Sequence, residues 1–159
     1  MKDLILIAAI GKNNELGLNN SLIWHLPGDL KFFKENTINK NIVMGFNTFK
    51  SLPGLLKNRH HIVVTHQNID NNDVKVVGSI QELLNYLDTI DDDIYVIGGA
   101  TIYRELMKYS NKMLITHIDM SHEADVYFPT IKAEAWDKIL LKENKESNIK
   151  YKHYVYVRK

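Results

Sequence analysis

Short apolar segments rich in Ile, Val and Leu recur along the chain, and segments with helical periodicity separate them. Such apolar segments are typical of strands that are buried on both faces of a sheet. The pattern predicts strands at Leu4–Ile10, Asn41–Met44, Ile62–Thr65, Val74–Val77, Ile94–Ile97 and Met113–His117. It predicts helices at Pro27–Asn36, Ser79–Leu87 and Thr101–Tyr109, and a short helical turn at Thr48–Leu52. Ser79, with Glu82 three residues later, fits a capping box at the start of its helix.

The C-terminal part of the chain has a different pattern. Polar and apolar residues alternate in Tyr151–Val157, and the polar segment Asn144–Asn148 separates it from Trp136–Glu143. This arrangement predicts a closing antiparallel hairpin. With the strand–helix alternation, it predicts an α/β fold: a single mainly parallel β-sheet with a C-terminal antiparallel hairpin, flanked by helices on both faces. Because no repeat or linker divides the sequence, we expect one domain over residues 1–159.

Composition narrows the classes of function. The formal net charge of +1 argues against a dedicated nucleic-acid-binding protein, which would present a basic face. The chain has no Cys, which excludes disulfides and thiolate catalysis and is compatible with a reducing cytoplasm. No apolar run reaches the roughly 18 residues that a membrane span needs. We therefore expect a cytoplasmic protein that uses no membrane and no nucleic acid, and a monomer by default.

The segment Leu22–Phe33 sets one carboxylate, Asp29, among large apolar side chains. Pro27 suits a first helical turn because its missing N–H would be unpaired there. In a helix that begins at this point, Asp29 and Phe33 lie one turn apart on the same face, with Leu30 beside them. Two interpretations are open. Asp29 either faces water as a partner of the helix dipole, or is the only charge of a pocket for a flat ligand with N–H donors. Burial would raise its pKa and the helix N-terminus would lower it.

Glycine follows two of the predicted strands. One strand runs directly into Gly98 and Gly99, and another runs into Gly45, and each junction opens a helix. Glycine lets the backbone approach a ligand, and a helix N-terminus offers free N–H groups to a phosphate. Asn47 or Thr48 could cap the second of these helices. The two termini could therefore hold a pyrophosphate-containing cofactor, and a purely structural role for the glycines is the alternative. The usual dinucleotide fingerprint and the P-loop are both absent from the sequence.

Other chemistries have little support. His60 and His61 are expected on a strand, where their side chains point to opposite faces and cannot share a metal ion. We therefore expect no metal site, and the sequence has no G-x-S-x-G elbow of a serine hydrolase. Arg59 is one of only three Arg residues. A guanidinium can bind a carboxylate through two parallel hydrogen bonds, whereas Lys offers a point charge. Arg59 is thus a candidate carboxylate ligand, with an ordinary surface Arg as the alternative.

Taken together, these motifs resemble the dihydrofolate reductase family, and the resemblance runs from Leu4 to the C-terminal hairpin. The family-like segments occur in order, as Ile7-Ala8-Ala9, Leu16-Gly17, Trp24-His25-Leu26-Pro27-Gly28-Asp29-Leu30, Met44-Gly45 with Thr48, Ile97-Gly98-Gly99 with Tyr103, and Thr116-His117-Ile118. The resemblance implies NADPH-dependent reduction of 7,8-dihydrofolate to 5,6,7,8-tetrahydrofolate, with hydride transfer to C6 and water-borne protonation at N5. It also implies that antifolate inhibitors bind.

The resemblance further implies roles for individual residues at the substrate site. Asp29 would bind the pterin 2-amino group and a ring nitrogen, and Thr116 would support that hydrogen-bond network. Arg59 would hold the α-carboxylate of the glutamate tail. Leu22 and Trp24 would belong to a mobile loop of about residues 12–26 that closes on the nicotinamide. The apolar walls of the pocket would be Ile7, Ala9, Leu30, Phe33, Leu52, Leu56 and Ile97.

The cofactor, by the same resemblance, would lie across both glycine junctions, with a cis peptide expected between Gly98 and Gly99. The implied contacts are Ala9, Ile10, Leu16, Gly17, Gly45, Phe46, Asn47, Thr48, Thr65, His66, Gly98, Gly99, Ala100, Thr101, Ile102 and Tyr103.

The sequence departs from the family pattern around the phosphate of the cofactor. Phe46 stands where the family commonly has a basic residue that meets the 2′-phosphate of NADPH, and Gly78 stands where some relatives carry Lys. His66 could supply a partial substitute, so the strength of the preference for NADPH over NADH is open. Ile23 replaces the Pro that usually precedes Trp24, which would loosen the loop.

Two alternatives to a dihydrofolate reductase remain. A pyrimidine reductase of riboflavin synthesis shares the fold and cofactor type, but it should lack both the Trp24 to Asp29 signature and Arg59. A non-catalytic pterin- or nucleotide-binding module, weakened by Phe46, is the other. NADPH oxidation assayed with dihydrofolate would separate the three.

Overall fold

The computed structural model describes residues 2–19 and 21–159. The strands in these ranges are β1 (Leu4–Ile10), β2 (Glu15–Leu18), β3 (Ser21–Leu22), β4 (Asn41–Gly45), β5 (His60–Val64), β6 (Val74–Val77), β7 (Ile94–Val96), β8 (Lys112–Ile118), β9 (Val126–Tyr127), β10 (Trp136–Glu146) and β11 (Ile149–Arg158). The helices are α1 (Pro27–Thr37), α2 (Phe46–Ser51), α3 (Ile80–Leu87) and α4 (Ala100–Leu106), which a 3₁₀ turn at Met107–Tyr109 continues.

Eight strands form one sheet in the order β10-β11-β8-β1-β7-β4-β5-β6. Every pair from β8 to β6 is parallel, and β11 is antiparallel to both β8 and β10. The predicted mainly parallel sheet with a closing antiparallel hairpin is thus confirmed. A second sheet, in the order β3-β2-β9, was not predicted. Its strands have only two to four residues, too few to show a periodicity in the sequence.

The strands bury side chains on both faces, as their apolar composition predicted. In β1, Leu6 and Ile10 lie in the core that α3 and α4 cover. Ile5 and Ile7 alternate with them and pack on the other side, where α1 and α2 contribute aromatic side chains. The helices therefore flank the sheet on both faces, and the carboxyl ends of β1, β4 and β7 meet at one edge. Ligands of open parallel sheets bind at such an edge.

Local signals placed several boundaries correctly. Ser79 accepts a hydrogen bond from the Glu82 N–H at 3.1 Å, as the capping box predicted, although the Glu82 carboxylate reaches the Gly78 N–H instead of that of Ser79. The hairpin turn is shorter than predicted. β10 ends at Glu146 and β11 begins at Ile149, so only Ser147 and Asn148 lie between them. These two residues have φ of 48° and 65°, as a two-residue type I′ turn requires.

The predicted cap of α2 is wrong. This helix begins at Phe46 and not at Thr48, and its N-cap is Gly45, which has no side chain with which to cap. Asn47 and Thr48 lie inside the helix, where the hydroxyl of Thr48 faces the backbone of Gly98. Sequence reasoning placed the start too late because both residues favour N-cap positions locally.

A buried carboxylate connects the segment before β2 to a distant loop. Glu15 is 1% exposed, and its two oxygens accept the backbone N–H groups of Asn13 at 2.6 Å and His122 at 2.7 Å. Burial alone would raise the pKa of Glu15, but the backbone N–H groups that it accepts lower the pKa overall. The ionised form therefore stabilises this junction between residues 11–15 and 119–128.

We expect Glu15→Gln to lower the free energy of unfolding at pH 7 by about 1.5–3 kcal/mol, the range of hydrogen bonds to a charged group. An amide keeps one acceptor oxygen and presents its NH₂ to the other backbone N–H. Because the pKa of Glu15 is lowered on folding, its contribution is complete above the ordinary value of 4.5 and is lost as the pH falls through the lowered pKa. Urea unfolding at pH 7 and at pH 3.5 should show the difference between variant and wild type shrinking in acid.

Glu123→Gln is the matched control for that experiment, since Glu123 is exposed in the same loop. Its effect should stay within about 0.5 kcal/mol. A Glu15→Gln variant as stable as the control at pH 7 would contradict the importance of this junction.

Candidate active site

Asp29 lies in the first turn of α1, and its carboxylate points at the sheet instead of at the helix end. Its Oδ1 accepts a hydrogen bond from Oγ1 of Thr116, on β8, at 2.6 Å. Only 24% of the Asp29 side chain is exposed. The helix begins at Pro27, as predicted. The interpretation of Asp29 as a water-facing partner of the helix dipole is therefore wrong, and the pocket interpretation agrees with the geometry.

The start of α1 is capped from the far end of the chain. Its N-cap residue is Leu26, whose hydrocarbon side chain cannot accept a hydrogen bond from the backbone N–H groups of the first turn. Oε1 of Glu146, in the hairpin, accepts the Gly28 N–H at 2.7 Å and also the hydroxyl of Tyr151. A Cβ at residue 28 would overlap both of these side chains, which explains the glycine beside Asp29. The C-terminal hairpin thus sets the position of the helix turn that carries Asp29.

The surroundings of Asp29 favour its neutral form more than water does. Burial raises the pKa of Asp29, and the negative charge of Glu146 adds to the rise. The hydrogen bond from Thr116 acts in the opposite direction, because it stabilises the carboxylate. A carboxyl group with a raised pKa in a cleft is a common feature of catalytic sites.

Thr116 lies in a row of side chains across three neighbouring strands. It pairs with Ala9 of β1 on one side and with His153 of β11 on the other. Nδ1 of His153 lies 2.8 Å from the Thr116 hydroxyl, and the His153 ring stacks on Phe32 of α1. Sequence analysis missed His153. The alternation in Tyr151–Val157 placed it on one face of a strand, but no local signal showed that this face meets Asp29.

Most of the predicted apolar walls come together beside Asp29. Ile7, Phe33, Leu52, Leu56 and Ile97 belong to a single cluster on the α1 and α2 face of the sheet. Two other predicted wall residues lie outside that cluster.

Ala9 packs next to the cluster, with Trp24 and Leu26. Leu30 is 53% exposed at the edge of the helix. Its role as a wall stays a prediction.

Arg59 is oriented by its own chain. Its Nε donates to Oγ1 of Thr37 at 3.1 Å, and its two terminal nitrogens donate to the carbonyls of Lys57 and Lys34 at 2.7 and 2.8 Å. These bonds leave further N–H groups of the guanidinium for a ligand. Arg59 is therefore held in place and is not an unattached surface residue.

His61 fixes the loop that carries Arg59. Its Nε2 accepts the Leu56 N–H at 3.0 Å, and its Nδ1 lies 3.2 Å from the Arg59 carbonyl. His60 points to the opposite face and contacts Tyr86. The prediction that these two histidines diverge agrees with the structure, and burial lowers the pKa of His61.

The two glycine junctions lie side by side. The Gly45 N–H donates to the Gly98 carbonyl at 2.9 Å, and a Cβ at Gly98 or Gly99 would lie 3.5 or 3.6 Å from Oγ1 of Thr48. The peptide between Gly98 and Gly99 is cis, as predicted, and Gly98 has a φ of +122° that favours glycine. Because α2 has only six residues and α4 only seven, neither helix N-terminus makes an anion site by itself.

Several predicted cofactor contacts have side chains that are turned inward. Ile10 is fully buried and Ile102 is 8% exposed, and the hydroxyl of Tyr103 donates to the Ile7 carbonyl at 2.7 Å. These residues can meet a ligand mainly through their backbone. The predicted contacts that keep exposed or half-buried positions are Ala9, Leu16, Gly17, Gly45, Phe46, Asn47, Thr48, Thr65, His66, Gly99, Ala100 and Thr101.

The region around Phe46 contains charges that sequence analysis did not weigh. Nζ of Lys50, one turn later in α2, lies 5.1 Å from the centroid of the Phe46 ring. His66 is exposed beside Gly78, where a Cβ on the glycine would lie 3.6 Å from His66 Nδ1 and 3.4 Å from Glu82 Oε2. A carboxylate therefore stands close to the histidine that was expected to help hold a phosphate.

Part of the loop predicted to cover the site, around Trp24, packs against the end of β1, and the part around Leu22 is exposed. Trp24 packs on Gly11 and meets the His122 ring edge to face at 6.3 Å. Leu22 is 67% exposed. The carbonyl of Gly17 accepts the Asp125 N–H at 3.0 Å, which joins this loop to residues 119–128.

Two further features bear on the classes of function. Among residues 2–19 and 21–159, no helix combines the length and the apolar composition that crossing a membrane requires. Nor do these ranges contain a cluster of three or more His, Cys, Asp or Glu side chains arranged to hold a metal ion.

Comparison with known proteins gives a consistent result. A family model described as dihydrofolate reductase matches residues 3–158. A dihydrofolate reductase of Buchnera aphidicola (subspecies Schizaphis graminum) is 42% identical over 149 residues, which cover 92% of each chain. The dihydrofolate reductase type 15 of Escherichia coli is 37% identical over 155 residues, or 96% of this chain and 97% of the relative. Among solved structures, the dihydrofolate reductase from Enterococcus faecalis complexed with NADP(H) and RAB-propyl superposes with a TM-score of 0.87. It is 30% identical and the match covers 98% of this chain and 96% of that chain.

We expect two substitutions to move the pKa of Asp29 in opposite directions. Thr116→Val should raise it further, because the variant removes the hydrogen bond that stabilises the carboxylate. Glu146→Gln should lower it, because the variant removes a negative charge but keeps an acceptor for the Gly28 N–H. The measurement is a ¹³C NMR titration of the Asp29 carboxyl carbon. Glu35→Gln, an exposed position on α1, is the control, and shifts of the same sign in both test variants would contradict the assignment of causes.

Proposed function

The chain belongs to the dihydrofolate reductase family, and we propose that it reduces 7,8-dihydrofolate to 5,6,7,8-tetrahydrofolate with NADPH. The observation that carries the proposal is the position of Asp29, a mostly buried carboxylate with one hydroxyl partner and an apolar cluster beside it. Such a site suits a flat heterocycle whose N–H groups need an acceptor. An assay of NADPH oxidation with dihydrofolate tests the proposal directly.

Asp29 binds and orients the pterin in this proposal. Its carboxylate accepts hydrogen bonds from the 2-amino group and a ring nitrogen, and Thr116 keeps the carboxylate in place. The negative charge also polarises the ring and favours a proton arriving at N5 from water. Ile7, Phe33 and Ile97 exclude water from the flat faces of the ligand, and the protein thereby supplies proximity and a dry site.

The tail of the substrate lies toward Arg59. A guanidinium that is already oriented by Thr37 and by two carbonyls loses little freedom when it binds a carboxylate. Leu52 and Leu56 form the apolar wall before it. This arrangement favours a substrate with an aromatic middle and an anionic end.

NADPH, when bound, would supply the hydride. The residues present fit such a cofactor, because half-buried Gly99 lies beside Thr48 and the Gly45 N–H bonds the Gly98 carbonyl, which brings the two glycine junctions together. Leu22 and Trp24 would cover the nicotinamide end. At the other end, Lys50 and His66 are the side chains that would meet a 2′-phosphate, and the Glu82 carboxylate lies beside His66.

We also propose that the protein works as a cytoplasmic monomer of one domain, without a nucleic-acid partner. The support is the near-neutral formal charge and the continuity of the family match over the chain. Light scattering on the purified protein would test the monomer.

Asp29→Asn should reduce turnover at pH 7 by roughly 10²–10⁴, the usual contribution of acid–base assistance. An amide offers one acceptor and no charge to polarise the pterin. Part of the activity should return at low pH, where solvent can protonate the substrate. Steady-state rates from pH 5 to 8 provide the test, with the exposed Asp137→Asn as control. Turnover close to that of the control at pH 7 would exclude Asp29 as the catalytic carboxylate.

Arg59→Leu should raise the KM for dihydrofolate by the equivalent of about 1.5–3 kcal/mol, because it removes a charge-assisted pair with the tail. A pterin without the glutamate tail should bind almost equally to variant and wild type. Arg59→Lys keeps the charge but not the fork, so it should give an intermediate KM. Equal losses for both substrates would show that Arg59 acts only through Thr37 and the two carbonyls.

Phe46→Arg should increase the preference for NADPH over NADH by roughly 1–3 kcal/mol, the scale of a hydrogen bond to a charged group. Lys50→Ala and His66→Ala should each decrease it. The comparison is kcat/KM for the two cofactors in all four proteins. A strong preference that survives both alanine variants would place the partner of the phosphate elsewhere.

A further inference from the structure

The Thr116 hydroxyl stands between the mostly buried Asp29 and the fully buried His153. Its oxygen lies 2.6 Å from Asp29 Oδ1 and 2.8 Å from His153 Nδ1. The two outer groups are 3.8 Å apart and do not hydrogen-bond directly. Thr116 is 2% exposed and His153 is 1% exposed, so bulk water has little access to the hydroxyl.

A hydroxyl has one proton, so its two contacts are not independent. If His153 carries its proton on Nδ1, it donates to Thr116, and the Thr116 proton is available for the Asp29 carboxylate. If Nδ1 is unprotonated, it can only accept, and the Thr116 hydroxyl must donate to His153. The short contact between Thr116 and Asp29 is then a hydrogen bond only when the carboxyl group is itself protonated. The tautomer of His153 is therefore linked to the charge of Asp29.

We propose that His153 is a positioning residue for Asp29: its Nδ1–H orients the Thr116 hydroxyl so that this hydroxyl donates to the carboxylate. The inference deepens the proposed function and rests on it for the kinetic consequence only. The ionised carboxylate is the form that accepts the N–H groups of the pterin, so His153 would act on the substrate site without touching the substrate.

The ring of His153 is held in one plane. It stacks on Phe32 with centroids 3.9 Å apart and planes 14° apart, and the Tyr151 ring meets it edge to face at 5.5 Å. The same strand pairing that brings His153 beside Thr116 places Lys142 of β10 on its other side. These contacts leave Nδ1 facing the hydroxyl.

The charged and titratable groups around the trio favour a neutral His153. Burial lowers the pKa of His153 to about 4, and Lys142 adds to that effect. Asp29 on α1 is the opposing charge. Glu146, bonded to Tyr151, acts on Asp29 from the hairpin. At pH 7 the ring thus has a single N–H, and its position decides the direction of both hydrogen bonds.

His117 provides a matched control on the next position of β8. Burial lowers its pKa to about 4 as well, with Lys138 contributing. Its Nε2 lies 2.6 Å from the Tyr156 hydroxyl, on the other face of the sheet. A replacement there perturbs a half-buried histidine without touching Thr116 or Asp29.

The first test needs no variant and no activity. ¹⁵N NMR of the wild-type protein at pH 7 distinguishes a protonated from an unprotonated Nδ1 in each histidine. We expect the His153 proton on Nδ1. An unprotonated Nδ1, with the proton on Nε2, would overturn the proposal.

The second test is a double-mutant cycle on kcat/KM for dihydrofolate. His153→Phe keeps a flat ring against Phe32 but removes the donor to Thr116. We expect it to lower kcat/KM about 2- to 10-fold, the range of one neutral hydrogen bond, and to move the acidic limb of the pH profile upward. In a Thr116→Val background the same change should have no further effect, because the hydroxyl that transmits it is gone. Additive losses would overturn the proposal.

The control and a direct titration separate failure of this inference from failure of the proposed function. His117→Phe should leave the pH profile unchanged, and a shift equal to that of His153→Phe would refute a specific role. If the wild type does not reduce dihydrofolate, the proposed function fails. A ¹³C titration of Asp29 in His153→Phe still decides the inference, since an unchanged Asp29 pKa would overturn it.

Discussion

Burial of one carboxylate against the sheet is the constraint on which the site depends. Asp29 is largely shielded from water at the first turn of α1, and its ionised form is stabilised by one hydroxyl, that of Thr116. Burying a charge costs free energy unless hydrogen bonds replace the lost hydration. The raised pKa of Asp29 shows that the replacement is incomplete. A fold that keeps such a group sacrifices stability at neutral pH, as functional sites often do.

The C-terminal hairpin supplies what the helix cannot. Because Leu26 cannot cap α1, Glu146 accepts the Gly28 N–H from β10, and the same carboxylate adds negative charge near Asp29. β11 contributes His153 beside Thr116. The hairpin therefore does more than close the sheet, since it determines the position and the electrostatic surroundings of the Asp29 carboxylate.

Periodicity and composition predicted the framework well. The predicted first and last residues of β1 and β6 agree with the structure. The predicted start of α1 and the predicted capping of α3 by Ser79 agree as well. These features depend on neighbours within about one turn or a few residues of strand, and such neighbours are visible in the sequence. The errors occur where local preference and tertiary contact disagree. The start of α2 lies where Gly45 bonds the distant Gly98, and β9 pairs with β2 from far along the chain, while β2, β3 and β9 are too short to show a periodicity.

The sequence alone supplied the ordered motifs that resemble the dihydrofolate reductase family, and through that resemblance the expected chemistry, because the identities and spacing of residues such as Asp29, Arg59 and Gly98 are visible in the sequence. Only the tertiary structure decided which groups act on them. Thr116 and Asp29 are 87 residues apart, and Glu146 and Gly28 are 118 residues apart. His153 beside Thr116 and Glu82 beside His66 are likewise contacts that the fold creates. Sheet order and helix packing create these neighbours, and the direction of a hydrogen bond or the sign of a pKa shift depends on distances that no local pattern contains.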